Sequence, residues 1–162
     1  MLIVLLLGCA FTLSAGQEHA ACPMHEARRA LHERGAGAMG FDQERTAHHF
    51  RLTPDGGRIE VEVKDPGDRE LREQVVAHLR RISEQFAAGD FSAPLHTHGE
   101  QPPGVPALRR WKADILYTFE LTPLGGRVVL STRKRAALAA IHEFLRYQIR
   151  EHGTGDPIAA RP

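Results

Sequence analysis

Along residues 46 to 64, and again along 112 to 132, apolar and polar positions alternate with period two, the pattern of strands that bury one face. In the first run His48, Phe50, Leu52, Ile59, Val61 and Val63 share the inner parity, with Arg58, Glu60, Glu62 and Lys64 turned outward. In the second, Ile115, Tyr117, Phe119 and Leu121 hold the inner parity. Both runs are interrupted at the same register, by Phe50-Arg-Leu-Thr-Pro-Asp-Gly-Gly-Arg-Ile59 and Phe119-Glu-Leu-Thr-Pro-Leu-Gly-Gly-Arg-Val128. Each therefore reads as a β-hairpin closed by a Pro-x-Gly-Gly turn. After each hairpin the apolar period lengthens to that of a helix. Leu71, Val75, Leu79, Ile82 and Phe86 form a stripe that stops at Gly89, and Leu138, Ile141, Leu145 and Ile149 form one that stops at Gly153. The helices align at their ends, His78 to Asp90 against Phe144 to Asp156.

The chain is thus a tandem β-β-α repeat, and each helix is expected to cover its own hairpin. The predicted fold is an α+β two-layer sandwich: a four-stranded antiparallel sheet with two long helices on one face, plus a short N-terminal helix. Residues 22 to 157 read as a single α+β domain, with repeat one at 46–90, a connector at 91–111 and repeat two at 112–156. Residues 158 to 162 read as a frayed tail. The prolines of the connector predict an extended, rigid path, and Gly35-Ala-Gly-Ala-Met-Gly40 predicts a glycine loop. That loop matches a dinucleotide fingerprint only in letters, because a helix precedes it and a strand follows.

Composition changes this picture in two places. A formal net charge of +1 supplies no field to recruit nucleic acid, which is not an expected partner. Residues 1 to 21 read as an export signal and processing region, since the apolar run Leu2 to Leu7 is too short to span a bilayer and small residues follow at Ser14-Ala15-Gly16. Cleavage after Gly16 is the preferred reading; in the alternative, Leu6-Leu-Gly-Cys9 is a lipoprotein box and Cys9 carries the lipid. The expected location is periplasmic or secreted, with no transmembrane span in the mature protein and Cys22 as its lone thiol.

Ten histidines against two cysteines direct attention to imidazole. In an extended connector, His96 and His98 would project to the same side and could chelate zinc or copper. His48 and His49 open the first strand and must face opposite ways, so one of them, not both, would complete that site. His48, at the inner parity, reads equally as a hydrogen-bonded core residue. Cys22, Met24 and His25 offer a second set of ligands, soft enough to favour copper(I). His78 and His142 lack a partner at ligand spacing on their helices and read as packing residues. No G-x-S-x-G, H-E-x-x-H, P-loop or EF-hand pattern occurs.

Through Met39-Gly-Phe-Asp-Gln43, Thr46-Ala-His-His-Phe50, Pro102-Pro-Gly-Val-Pro106, Ala139-Ala-Ile-His-Glu-Phe-Leu-Arg-Tyr-Gln-Ile149 and Gly153-Thr-Gly-Asp156, the chain resembles small exported bacterial proteins of unassigned function. The resemblance implies export and a single domain. Cys22-Pro-Met-His25 resembles the Cys-Pro-Met-His signature of small heavy-metal-binding modules of efflux systems.

Three functions follow as expectations. The first is an exported metal-binding protein of the bacterial envelope, for copper or zinc, drawing on His48, His49, His96 and His98, with Cys22, Met24 and His25. The alternative is a noncatalytic module that binds a protein partner or small ligand on the open face of the sheet, around His49, Arg51, Glu60, Glu62, Asp114, Leu116 and Glu120. The third is a metal-dependent enzyme in which a three-His site keeps a position for water, with Asp42 or Glu100 as base.

Overall fold

The two hairpins join into one antiparallel sheet. The computed structural model describes residues 39 to 160, together with Gly35 and Gly37. β1 (Thr46–Thr53) and β2 (Gly56–Val63) make the first hairpin, and β3 (Ile115–Thr122) and β4 (Gly125–Thr132) the second. β2 pairs with β4, giving the order β1-β2-β4-β3. Two long helices, α1 (Arg69–Ala88) and α4 (Arg135–His152), pack on one face, which makes the α+β sandwich that the pattern predicts. Gly35, Gly37 and Met39 are helical, so the glycine stretch is not an open loop along its length.

The paired glycines lie in the strands and not in the turns. The turns are Pro54-Asp55 and Pro123-Leu124, and Gly56 and Gly125 already hold ladder positions opposite Thr53 and Thr122. Their role is close approach: a Cβ at Gly56 would overlap the backbone carbonyl of Leu130, and one at Gly125 that of Val61. Each repeat thus contributes two adjacent glycines to the central β2–β4 ladder, the first of which is pressed against the opposite strand's backbone. The register makes the internal symmetry explicit, because Ile59 pairs with its own repeat equivalent, Val128, while Gly56 opposite Ser131 mirrors Gly125 opposite Glu62. An approximate twofold axis passes through the Ile59–Val128 pair.

Each helix crosses to the other repeat's hairpin, contrary to expectation. α1 packs chiefly on β4 and β3, and α4 chiefly on β1 and β2. The order of strands requires this, since β2 is central and the chain must pass over β4 to reach β3 at the far edge. The cores of the two repeats are therefore intertwined, around Val75, Leu79, Val128, Leu130, Ile141 and Leu145.

The connector is helical where an extended path was expected, with α2 (Ser92–His98) and α3 (Val105–Arg110). Pro94 and Pro106 sit in the first turns of these helices, where a missing N–H costs nothing and a fixed φ favours helix entry. Phe91 at the head of α2 stacks on Phe86 at 4.4 Å and meets Phe144 edge-on at 6.0 Å, so the connector helps to close the core. Among the described residues no helix is long and apolar enough to cross a membrane.

Beyond Gly153 the chain turns back along the free edge of β1. The Asp156 carboxylate accepts the Phe50 N–H at 2.9 Å and lies 3.1 Å from His49 Nδ1, while the Arg146 guanidinium donates to the Ile158 carbonyl at 2.9 Å. Desolvation pushes the Asp156 carboxyl up, but the bonds from Phe50, Thr154 and His49 together outweigh it and hold the group below the usual carboxylate range. Asp156→Ala should lower stability at pH 7 by about 1–2 kcal/mol, the value of a charge-assisted hydrogen bond to an edge strand. Because the folded pKa is depressed, that contribution is complete above the ordinary carboxylate pKa and disappears as pH falls through the folded value. Urea unfolding at pH 7 and at pH 3 measures both. A difference between wild type and variant that persists undiminished at pH 3 would exclude the carboxylate as its source.

Candidate histidine site

α1 and α4 align from their caps, Asp68 and Lys134, and every buried position of α1 but Phe86, whose counterpart His152 is half-buried, then has a buried counterpart in α4. Leu71 matches Ala137, Val75 Ile141, Leu79 Leu145 and Ser83 Ile149. Like Ser83 with Ile149, the remaining three matches cross chemical classes: His78 with Phe144, Ile82 with Gln148 and Phe86 with the half-buried His152. In the strands, His48 of β1 likewise answers Tyr117 of β3. One half of the sandwich thus has an apolar and aromatic quartet, Ile82, Phe86, Tyr117 and Phe144. The other half has Gln148, His152, His48 and His78 at the equivalent places.

In the aromatic half, Phe86 meets Tyr117 edge-on at 6.2 Å and Phe144 at 5.9 Å. In the polar half, the His48 and His152 rings stack at 5.7 Å with 15° between their planes, and His152 also packs on Phe50 at 5.2 Å. α2 adds a fourth imidazole, His98, which stands edge-on to His152 at 5.2 Å and to Tyr147 at 5.0 Å. Its Nε2 lies 3.0 Å from Gln148 Oε1, a contact in which the ring N–H donates to the amide oxygen.

These groups bound one end of a cavity of about 70 Å³ between sheet and helices. Its walls are mostly apolar, from Phe50, Ile59, Val61, Leu79, Ile82, Phe86 and Phe144, and Met39 brings a thioether to it. A water needs roughly 10–15 Å³ by this measure, so the space suits an ion with a few waters and not an organic cofactor. His48 and His152 are half-buried and also line an open groove with Gln43, Glu44, Lys64 and Thr154, so these two rings stand between cavity and solvent.

His78 is the most deeply set of the four. It packs edge-on against Phe41 at 5.5 Å, and the Arg81 guanidinium donates to its Nδ1 at 3.1 Å. Burial, then the positive charge of Arg81, then the proximity of His48 lower its pKa to about 4. His78 is therefore a neutral ring at physiological pH, protonated on Nε2. Gln148 and Thr97 are further buried polar residues at the cavity, and Gln148 is the larger. Its side-chain nitrogen has no hydrogen-bond partner, although the residue is only 4% exposed and lines the cavity.

The predicted ligands are sorted by this geometry. His48 and His98 come to the same cavity from β1 and α2. His96 does not, because on a helix residues i and i+2 lie about 200° apart around the axis, and His96 is exposed while His98 faces α4. The expected His96–His98 chelate depended on an extended connector and is withdrawn with it. His49 faces the other way, as strand parity requires, and engages Asp156. Cys22, Met24 and His25 lie outside the described residues. His152 and His78 were missed as site residues, although the helix alignment already set them against Phe86 and Phe144. Among the described residues, no three His, Cys, Asp or Glu side chains already converge as a metal site requires.

The other candidates are placed elsewhere. Asp42 accepts the Glu44 N–H at 2.8 Å as a turn cap, and Glu100 accepts from the Tyr147 hydroxyl at 2.8 Å. His142 Nε2–H is shared between the Thr53 and Gly56 carbonyls at 2.9 and 3.0 Å, which ties α4 to the first turn. On the open face, Arg127 bridges Glu120 at 2.7 Å and Glu60 at 3.5 Å, and Glu60 lies 3.9 Å from Arg51, a row of charges across all four strands. No family model, curated protein or solved structure matches the chain.

Proposed function

We propose that this chain is an exported metal-binding protein of the bacterial envelope, holding copper or zinc at His48, His98 and His152. The observation that carries this reading is the exchange of three aromatic rings and Ile82 for His48, His78, His152 and Gln148 at positions related by the internal twofold, with His98 brought beside them by α2. Packing alone does not ask for the exchange. The Phe86–Tyr117–Phe144 cluster fills the equivalent space with apolar rings, whereas each buried imidazole or amide costs desolvation that only a partner or ligand offsets.

Distances support the same reading. Two imidazoles on one tetrahedral ion, with metal–nitrogen bonds of about 2 Å, have ring centroids roughly 5 Å apart. The neighbouring rings here are 5.2 and 5.7 Å apart, near that spacing, and the stacked His48 and His152 rings would have to rotate to share an ion. Gln148 already supplies what a ligating histidine needs behind it, a carbonyl accepting the N–H of the far ring nitrogen. Imidazoles suit both zinc and copper, and the Met39 thioether shifts the preference toward copper.

The test exchanges the two halves. His48→Tyr/His152→Phe installs the pair that Tyr117 and Phe86 form elsewhere in the same fold, so the variant should fold and melt normally. Titration of demetallated protein with copper and with zinc should then show one equivalent fewer than wild type. An unchanged stoichiometry and affinity would remove these rings from any metal site.

A further inference from the structure

The two edges of the sheet are finished differently. At the β1 edge the Asp156 carboxylate accepts the Phe50 N–H, so the chain's own tail occupies that edge. The hairpin registers are equivalent, with Thr53 opposite Gly56 and Thr122 opposite Gly125, which makes Phe119 the β3 counterpart of Phe50. Its N–H and C=O therefore point away from β4, as do those of Ile115, Tyr117 and Leu121 by strand alternation. Asp90, the counterpart of Asp156 in the helix alignment, is engaged elsewhere and accepts the Ser92 N–H at 2.9 Å. Among the described residues β3 pairs with β4 alone. It also carries the two most exposed large apolar side chains described, Leu116 at 64% and Leu121 at 66%, and a single charge, Glu120. Lysine, proline or a covering segment ordinarily blunts such an edge; β3 contains neither residue, and no described segment lies along it.

We propose that β3 is a dimerisation edge, pairing antiparallel with β3 of a second copy about a twofold axis at Thr118 to make one eight-stranded sheet. Self-complementarity selects a second copy as the occupant. The register that sets Ile115 opposite Leu121 and Tyr117 opposite Phe119 uses every outward backbone group and lays apolar on apolar along the helix-covered face. Glu120, already bonded to Arg127 at 2.7 Å, then faces Leu116, and the two Glu120 side chains stand about 13 Å apart along the strands. The helix layer fits as well. α1 lies over β3 and β4, so with strands about 4.8 Å apart the two α1 helices come to roughly 10 Å, the ordinary distance of packed helices. α1 runs antiparallel to β3, since Arg72 donates to the Pro123 carbonyl and Lys112 to that of Ala88, and the Arg80 guanidinium stands 4.7 Å over the Phe119 ring. One strand residue spans the rise of about two helix residues, which puts the axis level with Ile82 and sets exposed Arg80 of each copy opposite exposed Glu84 of the other. Both side chains line the groove beside Leu121. Because the tail closes the β1 edge, pairing stops at a closed dimer and does not propagate.

Sedimentation of the protein over a range of concentrations should show a monomer–dimer equilibrium. Thr118→Lys, at an exposed position, sets two like charges face to face on the axis and should weaken the dimer roughly 100-fold while the circular dichroism spectrum is unchanged. Arg80→Glu and Glu84→Arg should each weaken it, and the double exchange should restore it. Thr118→Cys should oxidise to a disulfide-linked dimer whose bridge maps to position 118, because a non-hydrogen-bonded antiparallel pair holds its Cα atoms about 4.5 Å apart, within disulfide reach. Wild type that stays monomeric at every concentration overturns the inference. So does a dimer that is indifferent to Thr118→Lys and gives no bridge at position 118, since its interface would lie elsewhere.

Discussion

Gly56→Ala and Gly125→Ala should each cost about 3 kcal/mol or more, at the upper end of what overpacking costs, because the atom each adds meets backbone and not a side chain that can turn away. At Gly56 the new methyl group falls on the Leu130 carbonyl and within 3.0 Å of the Ser131 Cα, and at Gly125 it falls on the Val61 carbonyl and 3.1 Å from the Glu62 Cα. Relief requires β2 and β4 to move apart, which breaks the ladder that holds the two repeats in one sheet. The gain from stiffening the unfolded chain, about 0.4–1 kcal/mol for Gly to Ala, is too small to compensate. Since the two sites lie at opposite ends of the seam, their effects should add, and the double variant should be unfolded at room temperature. Gly37→Ala, where a Cβ meets nothing within 4 Å, is the control and should be neutral or slightly stabilising. Urea unfolding monitored by circular dichroism decides the matter: single variants within 1 kcal/mol of wild type would mean that the seam is not as close as the geometry requires.

That seam shows what the sequence made legible. Alternation and the duplicated Leu-Thr-Pro-x-Gly-Gly motif were enough to identify two hairpins and two helices, because burial of one face imposes its period on the chain. The path of the helices was hidden, since strand order is a long-range property and α1 covers β3 and β4, which come later in the chain. The connector was misread for a related reason. Pro94 and Pro106 exclude helix only from an interior position, and in a first turn they favour its start. The pairing of His96 with His98 rests on a spacing that puts two side chains on one side only in a strand, and in α2 it separates them.

Most of the histidine site was within reach of the alignment. Setting His78, Ile82 and Phe86 against Phe144, Gln148 and His152 already shows apolar stripe positions replaced by polar groups, in one direction on α1 and in the other on α4. What no alignment supplies is the convergence, because His48, His98 and His152 come from three elements 50 or more residues apart in sequence and meet only when α4 lies over β1. In an internally duplicated protein, each half serves as a reference for what the fold needs at a position, and departures from it mark residues retained for another reason.

His78 offers the clearest measurable consequence of such a departure. Its pKa in the fold, about 4, lies below its ordinary value of 6.5, first because the ring is buried and then because Arg81 and His48 oppose a positive charge there. Between those two values the unfolded chain binds a proton that the folded chain does not, so stability rises with pH and is lost as the solution is acidified. Above pH 6.5 both states hold a neutral ring and the residue contributes no pH dependence. The loss should reach about 2 kcal/mol at pH 5 and about 3 kcal/mol near pH 4, where the folded protein begins to take up the proton as well. His78→Phe installs the residue found at Phe144 and retains an aromatic contact for Phe41, while removing the titration. Wild type and variant compared by urea unfolding from pH 7 to pH 4 should diverge steadily below pH 6.5, with the variant gaining on wild type by that amount. This acid response is separate from that of Asp156, whose contribution persists until pH falls below the ordinary carboxylate range. Arg81→Gln should reduce the His78 effect without abolishing it, since burial is the larger cause and remains. Parallel pH profiles for wild type and His78→Phe would show that the ring is already protonated in the fold, and a charged His78 beside His48 would in turn weaken the case for a cation at the neighbouring imidazoles.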